Sequence, residues 1–353
     1  MAAVLAAVLA AVLAAVLAAV RACIRLMFVA AALLFLAAAA APVAAQQPGS
    51  VNPNADAVKE QQLLQQLNRI QGLGSIPDTK SYVIEQPIGR VWQAFHEVWL
   101  RWIGAIAMLG MLAVLIVFYL WRGTVRVKSG RSGTNIVRFN TFERSVHWMT
   151  ATCFIILALS GLNITFGKPL LLPLIGASAF SSWSLAVKYA HNLLSFPFTL
   201  GVVLIFLMWL GGNIPNRVDI EWLKRGGGII GHDQPPAYRF NAGQKGIYWI
   251  VVLGGSLIAV TGYFLMFPFY GTNIADMQLA EVVHGVVAVL FIAAMLGHIY
   301  IGTIGMQGAF EAMGKGTVDL NWAKEHHSLW LEQEQARTGP GQMQRQPTAA
   351  AAE

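Results

Sequence analysis

Five apolar runs recur along the chain, each close to twenty residues long and separated from the next by polar or charged connections. A helix needs about 20 apolar residues to cross a bilayer core, so each run predicts one membrane-spanning helix. We number these runs spans one to five, and they are Trp102–Trp121, His147–Phe166, Val187–Gly211, Gly246–Phe267 and Leu279–Gly305. The pattern therefore predicts an all-α membrane protein.

The charges in the connections predict how these helices are oriented. Arginine and lysine are frequent in the connections after spans one and three, whereas the connection after span two has only Lys168 before Lys188. The connection after span four has neither lysine nor arginine. Because cytoplasmic loops are enriched in basic residues, we expect the first and third connections and the C-terminus in the cytoplasm. The chain is then a multi-pass protein of the bacterial cytoplasmic (inner) membrane.

Composition agrees with a membrane location. The chain is 56% hydrophobic and 12% charged, with mean hydropathy +0.56. The net charge of +7 fits basic cytoplasmic loops and does not require nucleic acid as a partner. The two cysteines, Cys23 and Cys153, have no spacing that would bind zinc or an iron–sulfur cluster.

The N-terminal region has the parts of a secretory signal. Arg21 and Arg25 precede an apolar run, and small residues follow up to Ala45. We expect residues 1–45 to be a signal region cleaved after Ala45. An uncleaved anchor over residues 27–45 is the alternative, and Met27 could be the true start. Residues 46–101 are then extracytoplasmic, 102–121 an extra helix, 122–146 a basic cytoplasmic loop and 306–353 a cytoplasmic tail, disordered from about Thr338.

Four histidines lie within the predicted spans. His284 and His298 are fourteen residues apart on span five, so they share one helix face and lie about 21 Å apart along it. The orientation places His191 level with His284 near the outer surface, and His147 level with His298 near the inner surface. Two imidazoles at one depth on neighbouring helices suit axial ligation of haem iron. Histidines that only hydrogen-bond to neighbouring helices are the alternative.

Residues around these histidines refine the prediction. Acidic side chains are absent from the spans except for Glu281 at the outer edge of span five, which disfavours a di-iron site or a proton relay. Gly285 and Gly297 flank the span-five histidines and are expected to leave room for a flat macrocycle. Arg144 and Lys188 could pair with haem propionates or extend to lipid headgroups. The other four histidines are expected to be solvated or interface residues: His96, His232, His326 and His327.

Several segments together resemble one known family. They are RFNTFERSVHWMTA, KYAHNL, RFNAGQK, EVVHG, LGHIYIGT and VDLNWAKEHH. From about Asn135 to Glu332 the chain resembles the gamma subunit of respiratory formate dehydrogenase, a membrane cytochrome b subunit. The histidine pairs are shared with cytochrome b subunits of nickel–iron hydrogenases, so a subunit of such an enzyme or of another molybdoenzyme is an alternative. A non-redox transporter or scaffold is the alternative from a different class, although we see no inverted repeat or broken helix.

The resemblance implies a four-helix di-haem cytochrome b domain over residues 147–305, with an extra N-terminal helix that the short members of the family lack. It implies two b haems, an outer one on His191 and His284 and an inner one on His147 and His298. A catalytic molybdenum or tungsten subunit would oxidise formate outside the membrane, and an iron–sulfur beta subunit would deliver electrons to the outer haem. Electrons would leave from the inner haem to menaquinone or ubiquinone. The complex could form a higher oligomer.

The segment RFNAGQK matches the quinone pocket of this family, with Asn241, Gly243 and Gln244 beside the inner haem. It lies just before span four, at the predicted level of His147 and His298. Side-chain amides can hydrogen-bond a quinone carbonyl. The alternative is a structural turn in which Asn241 caps the helix of span four.

Overall fold

The computed structural model describes residues 87–228, 234–268 and 270–338 of the 353-residue chain. The predicted signal region, most of the predicted extracytoplasmic segment, His232 and the chain after residue 338 lie outside the described residues. Most of the described chain is helical. Its helices are α1 Pro87–Ala94, α2 Leu100–Arg122, α3 Thr141–Leu170, α4 Leu172–Asn213, α5 Arg217–Lys224, α6 Ala242–Trp249, α7 Gly255–Met266, α8 Ile274–Tyr300, α9 Ala309–Gly314, α10 Leu320–His326 and α11 Ser328–Thr338.

Short irregular turns join or extend these helices. Three π-helical turns, at Phe95–Trp99, Ile250–Gly254 and Ile301–Gly305, join α1 to α2, join α6 to α7 and prolong α8. A 3-10 turn covers Gly226–Gly228. Two short strands, β1 Asn135–Val137 and β2 Thr317–Asp319, pair antiparallel, a small sheet that the hydrophobic pattern did not predict.

Five continuous helical stretches are long and apolar enough to cross a membrane, which confirms the predicted set of spans. They are Val91–Arg122, Thr141–Leu170, Leu172–Asn213, Ala242–Met266 and Ile274–Gly305. The third stretch is much longer than the run that predicted it. Its first part contains several serines and a kink at Gly176, where φ is 78°, so hydropathy alone did not reveal that the helix begins at Leu172.

The additional helix α2 packs along α8 through small residues. A Cβ added to Gly285 of α8 would lie 2.8 Å from Leu100 Cδ2, and one added to Gly104 of α2 would lie 3.1 Å from Val289 Cγ1. Small residues let membrane helices approach closely. Leu100 and Gly104 are buried, whereas much of the rest of α2 presents exposed apolar side chains, as expected of a helix facing lipid.

The helices α3 and α6 begin with the same local structure. Residues 138–143 (RFNTFE) form the first box and residues 239–244 (RFNAGQ) the second box. In each box the asparagine side chain accepts a hydrogen bond of 2.9 Å from the backbone N–H three residues later. The Glu or Gln side chain accepts one in return from the asparagine N–H, at 2.9 and 3.1 Å. Both are capping boxes, which satisfy N–H groups at a helix start.

The two boxes contact each other reciprocally. Arg138 Nη2 donates to the Arg239 carbonyl (2.6 Å), and Arg239 Nη2 donates to the Arg138 carbonyl (2.9 Å). The rings of Phe139 and Phe240 are 5.9 Å apart, and Arg239 also forms an ion pair with Glu143 (2.8 Å). The chain therefore contains an internal parallel repeat, which the sequence analysis missed. We call the end of the bundle that carries both boxes the box end and the opposite end the far end.

The C-terminal segment folds back over the box end. Strand β2 pairs with β1, and the carboxylate of Asp319 accepts from the backbone N–H groups of Ser132 and Gly133 (2.9 and 3.1 Å). The Glu325 carboxylate accepts from the N–H groups of two residues in the connection after α2 (3.0 and 2.9 Å). Carboxylates that accept several N–H groups are held ionised, and the pKa of both Asp319 and Glu325 is lowered by these bonds against an opposing effect of desolvation.

His326 and His327 are buried between this segment and the box end, so of the two expected environments, solvent and an interface, the structure shows an interface. His327 is 1% exposed, and its Nδ1–H donates to the Tyr238 carbonyl (2.6 Å) while its Nε2 accepts from Arg138 (3.0 Å). Burial, with the nearby Arg138 charge, lowers the pKa of His327 well below its usual value. Burial also lowers the pKa of His326 to about 4, and burial together with Arg239 lowers the pKa of Arg138 to about 9.

Candidate functional site

The structure brings the four predicted histidines together in two facing pairs. His191 of α4 and His284 of α8 form the far pair, with ring centroids 6.2 Å apart and planes at 66°. His147 of α3 and His298 of α8 form the box-end pair, with centroids 6.3 Å apart and planes at 59°. These are the pairs that the sorting by depth predicted, and α8 contributes one histidine to each.

Both distances fit a metal ion held between two imidazole nitrogens. A metal–imidazole bond is about 2.0 Å long, and a ring nitrogen lies about 1.1 Å from the centroid of a five-membered ring with bonds of about 1.33 Å. Two collinear ligands would therefore place their centroids about 6.2 Å apart. Rings joined by a direct hydrogen bond of about 2.9 Å would lie about 5.1 Å apart. The observed separations match ligation and exceed the distance for direct hydrogen bonding.

Two hydroxyl groups fix the tautomers of the far pair. His191 Nδ1 is 2.7 Å from Ser160 Oγ, and His284 Nδ1 is 3.1 Å from Thr261 Oγ1. Each hydroxyl donates its hydrogen to a carbonyl of its own helix about one turn earlier (2.9 and 2.8 Å), so its oxygen accepts from the imidazole. Both histidines therefore carry hydrogen on Nδ1 and keep the Nε2 lone pair, which is the arrangement of a metal-ligating histidine with a bound second nitrogen.

A glycine follows each of these hydroxyl residues and lies against the same ring. A Cβ on Gly161 would be 3.6 Å from His191 Cε1, and a Cβ on Gly262 would be 3.2 Å from His284 Cε1. The repeat that relates the boxes also relates Ser160-Gly161 to Thr261-Gly262 at the same offset along the chain. Sequence reasoning missed these four residues, and aligning α3 with the helix of span four from their shared Arg-Phe-Asn starts would have found them.

The glycines expected beside the macrocycle have a different role. Gly285 lies against Leu100, and the closest atom to a Cβ on Gly297 would be Met111 Sδ, at 3.9 Å. Both neighbours belong to α2, so these glycines face the additional helix, and the expectation that they make room at the histidines is wrong. Their spacing on α8 reflects helix packing, because small residues on one face admit a close neighbour.

The box-end pair lacks matching hydroxyl partners. His147 Nδ1 is buried without a hydrogen bond among the described residues. Arg144, one turn before it, donates to the Met313 carbonyl (3.0 Å) and to the Gly314 carbonyl at the end of α9. The Arg144 guanidinium therefore binds the folded C-terminal segment. The Lys188 side chain, in contrast, is exposed. The two pairs therefore differ in what orients their rings.

The second box contains the predicted quinone residues. Asn241 and Gln244 use their side-chain oxygens in the capping box, as the structural alternative predicted. Their amide nitrogens make no hydrogen bond within the part of the chain that the structure describes. In the first box, by contrast, the Glu143 carboxylate also accepts from Trp209 Nε1 (2.8 Å) and from Arg239. The Glu143 carboxylate of the first box thus also bonds to residues outside its own box, whereas the side-chain amides of Asn241 and Gln244 in the second box keep N–H donors that can bind a ligand.

Comparison with known proteins matches the part of the chain that contains this site to a known family. The model for the family described as prokaryotic cytochrome b561 matches residues 138–316, half of the chain. Over 202 residues the chain is 29% identical to the formate dehydrogenase cytochrome b556(fdo) subunit of Escherichia coli (strain K12), covering 56% of this chain and 92% of that protein.

Other relatives carry similar names. The nitrate-inducible formate dehydrogenase cytochrome b556(Fdn) subunit of Escherichia coli (strain K12) is 27% identical over 204 residues, covering 56% of this chain and 91% of that protein. The formate dehydrogenase cytochrome b556 subunit of Haemophilus influenzae is 27% identical over 216 residues, 57% and 84% of the two chains. These relatives confirm the predicted resemblance.

The family match runs from the first box to the residue before strand β2, so it includes the three helices that carry the histidine pairs, α3, α4 and α8, as well as α6 and α7, and omits α2. A cytochrome b binds haem b, and the two histidine pairs suit it, because two facing imidazoles supply both axial ligands. With five apolar helices, the chain is a multi-pass membrane protein. It belongs to the prokaryotic cytochrome b561 family.

Proposed function

We propose that this chain is the membrane cytochrome b subunit of a formate dehydrogenase complex and that it carries electrons through two b haems to a quinone. One observation carries the proposal: two histidine pairs with centroids 6.2 and 6.3 Å apart lie in one bundle. The formate partner is supported by the names of the relatives. When bound, haem with two histidine ligands supplies a one-electron centre with no open position for oxygen.

The side chains of the far pair would receive electrons from the partner subunits. His191 and His284 would hold the outer haem, and Ser160 and Thr261 would keep their Nε2 atoms unprotonated and aimed at the iron. The partners are a catalytic molybdenum or tungsten subunit that oxidises formate and an iron–sulfur beta subunit. Both would act outside the cytoplasmic membrane of a bacterium, at the far end of the bundle.

The box-end pair would pass electrons on at the cytoplasmic side. His298 is fourteen residues beyond His284 on the same helix, about 21 Å along its axis. Basic residues in the connection after α2 support a cytoplasmic box end. His147 and His298 would hold the inner haem there.

The second box would bind the quinone that accepts these electrons. The free amide N–H groups of Asn241 and Gln244 can each donate to a quinone carbonyl. Gly243 between them adds no side chain to the space they border. The capping bonds and the quinone bonds use different atoms of the same side chains, so the two roles are compatible. Assays with menaquinone and ubiquinone analogues as acceptors distinguish which quinone binds.

Purification of the intact complex from the native membrane tests the proposal. We expect two non-covalent b haems per chain by pyridine haemochrome analysis, since the sequence has no C-x-x-C-H attachment motif. We also expect a molybdenum or tungsten subunit and an iron–sulfur subunit by mass spectrometry, and haem reduction on addition of formate. Absence of haem would overturn the whole proposal, and co-purification with a hydrogenase large subunit would overturn the formate assignment alone.

A further inference from the structure

The short helix α5 is held firmly at the box end. Asn216 caps it by accepting from the N–H groups of Val218 and Asp219 (2.9 and 3.3 Å), and the Asp219 carboxylate accepts from the Asn216 N–H (2.7 Å). The helix carries Trp222 on its second turn, and a turn of three glycines with positive φ follows it. The capping bonds therefore fix the start of α5, and the turn after the helix has the backbone conformation that glycine favours.

A buried ion pair ties α5 to the second box. Lys245 follows Gln244 in the chain, and its Nζ donates to the Asp219 carboxylate (2.8 Å) and to the Ile214 carbonyl (3.1 Å). The side chains of Lys245 and Asp219 are 5% and 13% exposed. Removal of one partner from such a pair is costly, because it leaves a buried charge unpaired. The pair thus fixes the distance between α5 and the start of α6.

This attachment places the indole of Trp222 against the second box. A Cβ on Gly243 would lie 3.2 Å from Trp222 Cη2 and 3.4 Å from Asn241 Oδ1, so the ring and the amide border one small space. On another side the indole meets Gly227, where a Cβ would lie 2.5 Å from Cη2. A methyl group at Gly227 would clash with the ring, and one at Gly243 would require the ring to shift by a few tenths of an ångström.

An aromatic face beside two free amide donors suits one class of ligand. A flat conjugated ring with carbonyl oxygens could stack on the indole while its oxygens accept from Asn241 and Gln244. We propose that Trp222 forms one wall of the quinone site and stacks on the quinone headgroup. This inference rests on the proposed function of the second box and adds to it the residue that recognises the ring.

A purely structural role for Trp222 makes a different prediction. Tryptophan is enriched at membrane interfaces, where it anchors a helix without contacting a ligand. In that role, truncation of Trp222 would lower the thermal stability of the complex and leave the KM for quinone unchanged. In the proposed role, the KM rises while haem content and haem reduction by formate stay the same.

The test uses the intact complex with formate as donor and water-soluble menaquinone and ubiquinone analogues as acceptors. Trp222→Ala should raise KM about tenfold for the analogue that the complex prefers, since a lost aromatic stack and its burial amount to roughly a factor of ten. Trp222→Phe, which keeps a smaller ring, should raise KM about threefold. Trp121→Ala is the matched control, because Trp121 is 67% exposed on α2, and it should leave KM unchanged.

A second substitution tests the geometry. Gly243→Ala should raise KM, because the new methyl group would lie 3.2 Å from the indole and displace it. In a Trp222→Ala background the same change should cost much less, since the displaced ring is gone. Unchanged KM in both Trp222 variants, or strictly additive effects in the double variant, would overturn the inference. Failure of the unsubstituted complex to reduce either analogue would instead overturn the proposed quinone function.

Discussion

The hydroxyl groups that hold the far pair give the sharpest test of its proposed haem. Thr261→Val removes the oxygen that accepts from His284 Nδ1–H and keeps nearly the same side-chain volume. Ser160→Ala removes the corresponding acceptor from His191. Both changes leave the Nε2 atoms in place, so the predicted ligands to iron are retained.

The expected effect is a higher midpoint potential at the far site alone. A bond accepted from Nδ1–H makes Nε2 more basic, and a more basic ligand favours the more highly charged ferric ion. A neutral hydrogen bond is worth about 0.5–1.5 kcal/mol. If the hydrogen bond stabilises the ferric state by about 0.5 kcal/mol more than the ferrous state, its loss raises the midpoint potential by about 20 mV. The conversion is that about 59 mV corresponds to about 1.4 kcal/mol for one electron.

The two variants should differ in size because the two bonds differ in length. The Ser160 bond to His191 is 2.7 Å long and the Thr261 bond to His284 is 3.1 Å long. We therefore expect about 40 mV for Ser160→Ala and about 20 mV for Thr261→Val. The box-end pair serves as an internal reference, because His147 Nδ1 has no hydrogen bond to lose among the described residues.

Redox titration of the purified complex, monitored by optical spectra, measures both sites in one sample. Two resolved potentials of which one rises by the expected amount would support the reasoning. If both potentials moved together, or if the affected one fell, the assignment of these hydroxyls to one haem site would be refuted. Pyridine haemochrome analysis of the same sample checks that haem content is unchanged.

Other parts of the molecule give three further predictions. His191→Ala should block electron entry from formate, whereas His147→Ala should leave the far haem reducible; rapid formate reduction of the box-end haem in the first variant would contradict the route. Asn241→Asp should keep the capping bond and the thermal midpoint but impair quinone reduction. Normal quinone kinetics in this variant would show that Asn241 has only a structural role in the second box. His326 has a folded pKa of about 4, below its usual 6.5, so the unfolded chain binds more protons between those values. The free energy of unfolding should therefore fall by up to about 3 kcal/mol as the pH drops from about 6.5 to about 4, and His326→Gln should remove that part of the dependence in pH-dependent thermal melts.

Hydrophobic pattern and charge predicted the part of the fold that depends on the bilayer. The five spans were readable because each is a long apolar run, and their alternating direction then sorted His191 with His284 and His147 with His298. That sorting needs only the depth of each residue, which sequence position supplies. The structure adds the distance between the imidazole rings of each pair, which the hydrophobic and charge patterns of the sequence do not give.

The parts that were missed depend on contacts between distant segments. His326 and His327 lie in a charged stretch and resemble solvated residues, yet β2 and α10 bring them beneath the box end, where Arg138 meets His327. Gly285 lies beside His284 in the sequence, but a helix presents neighbouring residues about 100° apart, so it faces α2 instead. The internal repeat was overlooked because the two halves share few residues beyond Arg-Phe-Asn, one tryptophan and a hydroxyl–glycine pair.

That repeat has a consequence for the path of the electrons. The far pair takes one histidine from each half of the bundle, His191 from α4 and His284 from α8, so the proposed route could in principle leave this site toward the box end of either half. The counterpart of His147 in the second half is Tyr248, which is buried and donates to the Phe206 carbonyl (3.0 Å). On α4, the residue fourteen positions after His191, as His298 is after His284, is Ile205, also buried in the core. Because neither Tyr248 nor Ile205 carries an imidazole, the proposed route would leave the far site only toward His147 and His298, although the scaffold is nearly symmetrical.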